Sequence, residues 1–402
     1  MKDAAQTIFR LTCNNPDCGL VVATSGDPTP LQKRFSSGGC PCCMGKDFSA
    51  NYEKADFAER EVVTSALSVI VPFYGVEPFA KDCIESILAQ DVSPMDLYLV
   101  DDGSRDACPE ILDSFLTDER VVVIHQKNAG LSMARNTALE FVHSEYVTFV
   151  DGDDKLLDNP SGYSRVLSAL KESGADLAYY SYVVHAEGEE PTLPDALSRE
   201  GYTLRDRKES LDFFFDRLET IYCSAVWNKM ARASLFSSAR YYPGAYCQDL
   251  RMMPNLLRQM QSSITLEEYL VSYLTMRKGA ITRSVRPKLL FDRMMAIRDC
   301  LDFAKGLGDE RYIGITASAF AKYLAPAYYA AWKGTSPDPE ERKKQKSPAY
   351  MRAIKAAYRE EKKILLSKAY LPNAKQRTAL RLFGLSKYLF LIYNRVFHAF
   401  DL

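Results

Sequence analysis

The chain has 402 residues, 47% of them apolar and 26% charged, the balance of a soluble globular protein of two or three domains; disorder, a collagen-like repeat and a small disulfide scaffold are excluded. Its net charge of −1 predicts no polyanion partner, yet Glu341–Leu402 holds fifteen Lys/Arg against four acids, a net of +11 that leaves −12 for the remainder. No apolar run approaches the roughly 20 residues of a membrane-spanning helix. Met1–Arg10 lacks the charged start, apolar core and cleavage site of a secretory leader, so the mature chain is expected to begin at residue 1, in the cytoplasm.

Residues 1–60 read as a small module. Cys13 with Cys18, and Cys40 with Cys43, are two close pairs 21 residues apart, so that two turns can converge on one tetrahedral ion; four thiolates suit a structural Zn²⁺ best. In a reducing compartment metal binding is the better reading than disulfides. Cys42 competes with Cys43 for the fourth position, and iron or buried free thiols are the alternatives to zinc. Such a ribbon-like module would dock a partner or brace the catalytic domain. It has no basic, aromatic-laced surface, so nucleic acid is not an expected partner. The charged stretch Asn51–Glu61 reads as a linker.

From Leu67 short β-branched runs alternate with amphipathic segments, the pattern of an α/β layer with a mainly parallel sheet. Strands are expected at Ser68–Phe73, Leu97–Asp101, Val121–His125, Tyr146–Val150 and Asp176–Val183. Among the helices between them, Glu77–Ala89 puts Phe79, Cys83, Ile84, Ile87 and Leu88 on one face. A polar loop, His185–Arg205, interrupts the layer, and beyond Arg286 the pattern is helical. The expected domains are therefore 1–60, 66–285 and 286–402.

The chemistry-bearing residues fall at strand ends, where open α/β sheets bind ligands. The first strand ends in Val71-Pro72-Phe73-Tyr74, and the second runs into Asp101-Asp102-Gly103-Ser104, which also makes an ordinary turn. The fourth discharges into Asp151-Gly152-Asp153-Asp154. Carboxylates so close repel one another unless a cation or hydrogen-bond donors offset them, and Mg²⁺ or Mn²⁺ does this well; a solvated acidic turn is the plainer reading. Asn128-Ala129-Gly130 opens the preceding helix, where the helix N-terminus and Arg135 suit an anion.

In this order, Ser68–Tyr74, Val100–Asp106, Asn128-Ala129-Gly130 with Ala134-Arg135-Asn136, and Asp151–Asp154 resemble the motifs of the family-2 glycosyltransferases, which have the GT-A fold. The resemblance continues through Ala225-Val226-Trp227-Asn228-Lys229-Met230 and Gln248-Asp249, covering about Leu67–Ser284. It implies an inverting transfer of sugar from a nucleoside diphosphate donor, expected to be a UDP-sugar, to a hydroxyl of a glycan or lipid-linked acceptor. By the same resemblance Asp102 would bond the nucleotide base, with Pro72, Phe73, Tyr74 and Glu77 as the pocket wall. Asp151 would approach ribose and metal, and Asp153 would ligate Mn²⁺ or Mg²⁺. Asp249 would be the general base, its plainer reading being a helix N-cap. Gln248 stands where relatives carry Glu and would touch the donor sugar. Arg277, in a lid-like segment Arg277–Arg283, would meet the diphosphate or else lie in a solvated turn. The Gln-x-x-Arg-Trp motif of processive synthases is absent, which implies one sugar per encounter. The rival is a non-catalytic nucleotide-sugar-binding scaffold, against which the retained Asp151, Asp153 and Asp249 argue.

In the tail Leu382, Leu385, Leu389, Ile392 and Val396 recur at three- and four-residue steps, one apolar stripe beside Arg381, Lys387 and Arg395. Such a helix packs on its own domain or, with Tyr388, Phe390, Tyr393, Phe397 and Phe400 and the +11 charge, lies on an anionic membrane surface. The second reading makes the enzyme peripheral on the inner face of the cell membrane, in bacterial surface-polysaccharide assembly.

Overall fold

The computed structural model describes residues 8–50, 65–275, 277 and 286–397. The linker read at Asn51–Glu61, the lid-like Lys278–Arg283 and Phe400 lie outside the described residues, as do the side chains of Ile392, Arg395, Val396 and Phe397. The chain opens with β1 (Phe9–Cys13), β2 (Val21–Thr24), α1 (Thr29–Gly38) and β3 (Phe48–Ala50). The alternating layer comprises β4 (Leu67–Phe73), α2 (Glu77–Leu88), β5 (Met95–Asp101), α3 (Cys108–Ser114), β6 (Val121–His125), α4 (Leu131–Leu139) and β7 (Tyr146–Phe149). Next come β8 (Lys155–Leu156), α5 (Gly162–Ser173), β9 (Leu177–Ala186), β10 (Thr203–Arg205), α6 (Arg207–Asp216), α7 (Ile221–Ser224), β11 (Lys229–Arg232), α8 (Gln248–Gln259) and β12 (Ser263–Thr275). The remainder is helical: α9 (Pro287–Leu307), α10 (Glu310–Lys333), α11 (Pro339–Lys344), α12 (Pro348–Leu365), α13 (Ala374–Leu385) and α14 (Lys387–Phe397).

Two compact units result, one of Met1–Ser210, Ala225–Gly244 and Gln259–Arg277, the other of Leu211–Ser224, Ala245–Arg258 and Lys278–Leu402. The first is built on a twelve-stranded sheet in the order β10-β12-β9-β11-β7-β4-β5-β6-β2-β1-β3, with β8 paired to β12. Every residue of β4 is buried, as its unbroken apolar run requires of a strand covered on both faces. It pairs in parallel with β5 on one side and β7 on the other. The sheet is mixed rather than mainly parallel, with four parallel pairings and seven antiparallel among the described residues. The cause is that β11 runs antiparallel between β7 and β9, and that the cysteine segment joins the sheet. That segment is a β-hairpin laid against β6, Val21 to Thr24 opposite His125 to Val122, and its Ala23 enters the same apolar core as Val69, Leu99 and Val123. The loop expected from His185 is shorter than its composition suggests, because β9 continues to Ala186 alongside β12 and β10 adds a further strand.

The second unit is helical. Asp309, Asp338, Ser347 and Asn373 cap α10, α11, α12 and α13 through side-chain oxygens that accept backbone N–H groups, the free donors of a helix start. Phe215 is stacked between Tyr312 at 4.2 Å and Phe303 at 6.1 Å. The tail stripe is not one helix: Ser386 is extended (φ −153°, ψ 133°), ending α13, while its Oγ accepts the N–H of Tyr388 in α14. Phe383 and Phe390 turn inward instead, 5.5 Å apart, and Leu385 is left exposed. Among the described residues no helix is long and apolar enough to cross a membrane.

Candidate functional site

Chain order reverses at β4: β5 and β6 extend the sheet to one side and β7 returns to the other. The carboxyl ends of β4, β5 and β7 therefore open on one crevice, a topological switch point. Gly152, just beyond β7, is forced by close approach, since a Cβ there would stand 2.8 Å from the Pro72 carbonyl and 2.7 Å from the Phe73 ring. Pro72 and Phe73 are buried behind this turn, whereas Tyr74 is exposed at the crevice lip. Glu77 ties the two neighbouring turns together: its carboxylate accepts the Ala107 N–H at 3.1 Å, and its own N–H donates to Asp106 at 3.0 Å.

Asp102 is almost wholly buried, and its carboxylate accepts Gln126 Nε2, Ala129 N–H and Gly130 N–H, each at 2.8 Å, while Asn128 donates to its carbonyl. Burial raises its pKa against these donors. One carboxylate thus gathers the whole Gln126–Gly130 loop, and Gly103 makes the fit possible by adopting φ +70° where a Cβ would meet Asn128 N at 2.8 Å. Behind the loop, Asn136 of α4 exchanges two bonds with the Tyr241 backbone, at 2.8 and 2.9 Å.

Arg135 has no exposed surface; its guanidinium pairs with Asp151 and sits over the Tyr241 and Phe149 rings at 5.3 and 5.9 Å. Arg277 donates to Asp153 at 2.8 Å and lies over Phe79. Asp154 accepts the Leu274 N–H with one oxygen, and its other, Oδ2, is buried without a partner. Burial, then the charge of Asp151, holds Asp153 above the usual carboxylate range; burial and both neighbours raise Asp154 far above it. Three carboxylates thus share this turn with two guanidiniums, and among the described residues Asp154 has none of its own. The turn's donors are all hard oxygens, a set that fits Mg²⁺ or Mn²⁺ held by one or two carboxylates, with water and phosphate completing the shell. Trp227 stacks on Tyr273 at 4.7 Å, and beside it Lys229 is buried, donating to Asn228 Oδ1 at 2.7 Å.

Gln248 and Asp249 lie in the second unit. The preceding Cys247 takes a left-handed φ of 51°, unusual for a residue other than glycine, and α8 opens at Gln248, so Asp249 sits in its first turn rather than capping it. A carboxylate in that turn is favoured by the helix dipole.

The four cysteines converge. The sulfurs of Cys13, Cys18, Cys40 and Cys43 lie within 4.8 Å of one another, with Cys13–Cys43 and Cys18–Cys40 at 3.5 Å. Tetrahedral Zn–S bonds of about 2.3 Å imply S···S edges of about 3.8 Å, so the set fits one ion, and among the described residues it is the only group of three or more such ligands so arranged. Cys43, not Cys42, is the fourth member: the Cys42 sulfur faces Gln126 and Thr137 instead. Burial pushes Cys18 up to about 11, while the Gly45 N–H pulls Cys43 down to about 7.

Several residues of this site carry no motif. Lys127 donates to the Pro16 and Asp17 carbonyls of the first cysteine turn, at 3.3 and 2.7 Å, and Glu140 joins Arg34 of α1 to Arg240, both at 2.7 Å. Adjacency to Asn128-Ala129-Gly130 was the only sequence signal for Gln126 and Lys127, and Glu140 had none.

Residues 68–231 match the family model described as glycosyl transferase family 2. Among curated proteins the chain is 30% identical to glycosyltransferase GlyA of Streptococcus pneumoniae serotype 4 over 253 residues, 61% of this chain and 36% of that protein. It is 33% identical to the uncharacterized glycosyltransferase EpsJ of Bacillus subtilis over 174 residues, 43% of this chain and 49% of that one. The chain thus spans between a third and a half of the length of these relatives. In fold it is similar to TarS residues 1–349 of S. aureus, with a TM-score of 0.57 at 17% identity, over 82% of this chain and 89% of that one. With the ordered motifs of residues 68–154 set around a single sheet-edge crevice, residues 68–231 of this chain form a glycosyl transferase family 2 domain.

Proposed function

We propose that the chain is a metal-dependent, inverting glycosyltransferase that moves a sugar from a UDP-sugar to a hydroxyl of a glycan or lipid-linked acceptor in bacterial surface-polysaccharide synthesis. The observation that carries this reading is the juxtaposition of the Asp102 cradle and the Asp151–Asp154 turn at the ends of strands flanking β4. The TarS structure similar to it in fold is a complex with UDP-GlcNAc, which supports UDP as the nucleotide.

In this reading Asp102 orients the loop against which the base lies and offers it an acceptor, with the exposed Tyr74 and Glu77 as the wall and the buried Pro72 and Phe73 backing it. Asp151 faces the ribose and, with Asp153, would hold Mg²⁺ or Mn²⁺, which when bound supplies Lewis-acid stabilisation of the departing diphosphate. Arg135, locked by Asp151, keeps that carboxylate in place. Arg277 offers the diphosphate a guanidinium once Asp153 is engaged elsewhere, and Gln248 contacts the donor sugar. Asp249 takes the proton of the acceptor hydroxyl as its oxygen attacks the anomeric carbon from the face opposite the diphosphate, so configuration inverts. The Cys13, Cys18, Cys40 and Cys43 set holds a structural Zn²⁺, and the basic tail holds the enzyme on an anionic membrane face.

Asp249→Asn is expected to lower sugar transfer by about 10³-fold or more, while UDP-sugar affinity by calorimetry stays unchanged. Turnover surviving this change would remove Asp249 from the mechanism.

A further inference from the structure

The cysteine segment does more than lengthen the sheet: it grips both ends of α4, the helix that the Asp102 loop leads into. Ahead of its N-terminus Lys127 reaches the Pro16 and Asp17 carbonyls between Cys13 and Cys18, and the Cys42 sulfur lies 3.9 Å from Gln126 Oε1 and, further along, 3.7 Å from Thr137 Oγ1 in the last turn of α4. Gln126 in turn donates to Asp102. At the C-terminal end Arg34 clamps Glu140, and Phe35 stacks on Phe141 at 6.0 Å. Between the cysteine turns and the loop lies a cleft of about 250 Å³ bordered by Cys18, Cys43, Asn128 and Met133. The two are therefore joined there by discrete ties across open space rather than by continuous packing. Whatever fixes the two cysteine turns relative to each other fixes the loop.

We infer that the four-cysteine centre sets the affinity for the donor nucleotide: a thiophilic ion such as Zn²⁺ at Cys13, Cys18, Cys40 and Cys43 holds the turns that, through Lys127, Cys42 and Gln126, hold the Asp102 loop in its binding form. Lys127 is a positioning residue, since it acts through the loop. The inference rests on the donor reading under Proposed function. Without the ion the loop samples other conformations, and apparent affinity falls by the fraction of molecules still competent, about tenfold if one in ten remains so.

The test uses the full chain purified with its metal. Metal per chain is measured by elemental analysis and UDP binding by calorimetry with Mg²⁺ present, before and after a zinc-selective chelator that is dialysed away. Removal is expected to weaken the Kd about tenfold with the binding stoichiometry preserved; a merely structural role would lower the stoichiometry and leave the Kd alone. Lys127→Met keeps all four thiols and removes only the tie, so it tests the inference even where chelation unfolds the hairpin. It is expected to weaken UDP binding about threefold or more at unchanged metal content, and Lys127→Arg to restore it. A Kd constant to within about twofold in Lys127→Met, or after verified metal loss, overturns the inference. Metal-loaded protein that binds no UDP overturns instead the donor reading on which it rests, and UDP-binding protein that never carries metal overturns the zinc assignment.

Discussion

His125 closes β6 between two carboxylates, Nδ1 facing Asp101 at 3.2 Å and Nε2 facing Asp113 at 3.1 Å. Burial opposes its charge, but these partners push it up to about 9, and the same contact, its first cause, holds Asp113 below its usual range. Because the folded value lies above the unfolded value of about 6.5, the stabilisation is complete below about 6.5 and is lost as pH rises through about 9. The melting temperature is expected to fall by a few degrees across that window, and His125→Gln to flatten the fall; equal slopes in the two proteins would refute the assignment. Asp102, Asp151 and Asp153 stand in motif at strand ends, so their placement followed from the strands. The complete burial of Arg135 was not legible, because its partners Phe149 and Tyr241 lie on separate elements and only tertiary packing brings the rings around it. Nor was the choice of Cys43 over Cys42, which depends on a turn where Met44 takes φ 59° and Cys40 N–H reaches the Gly45 carbonyl.

Among elements, those with a strong local pattern appear where periodicity puts them: β6 is Val121–His125 and α2 ends one residue before the expected limit. β10 and β11, of three and four residues, were missed because so short a run shows no period, and β12, rich in Ile, Thr, Tyr and Val, because Glu267 and Glu268 interrupt it; the latter is buried against Arg165 and Asn159. In the tail a simple count of steps joins residues that Ser386 separates. The break leaves Leu385, Tyr388 and Leu389 at 78%, 61% and 47% exposure, an apolar knuckle adjoining Lys387 and the exposed Arg381. Such a surface suits an anionic bilayer, where each engaged basic residue contributes about 1 kcal/mol. Leu385→Ser with Leu389→Ser is expected to reduce co-sedimentation with phosphatidylglycerol vesicles severalfold, and added salt to reduce it further. Binding indifferent to both would assign this knuckle another role.

Among the described residues the two outermost strands of the sheet, β10 and β3, are three residues each. An unpaired strand is a template on which a second chain can build, and very short outer strands give such a chain little to hold. In a protein begun at residue 65 the outermost strand on that side would become β6, whose Val121, Val122, Val123 and Ile124 are all buried and whose free backbone groups now pair with β2. Light scattering is expected to show such a shortened chain self-associating at concentrations where the full chain is monodisperse, whereas equal scattering would assign the hairpin no such duty. The cysteine hairpin thus acts as a stopper, and losing it would cost the protein its solubility as well as its grip on α4.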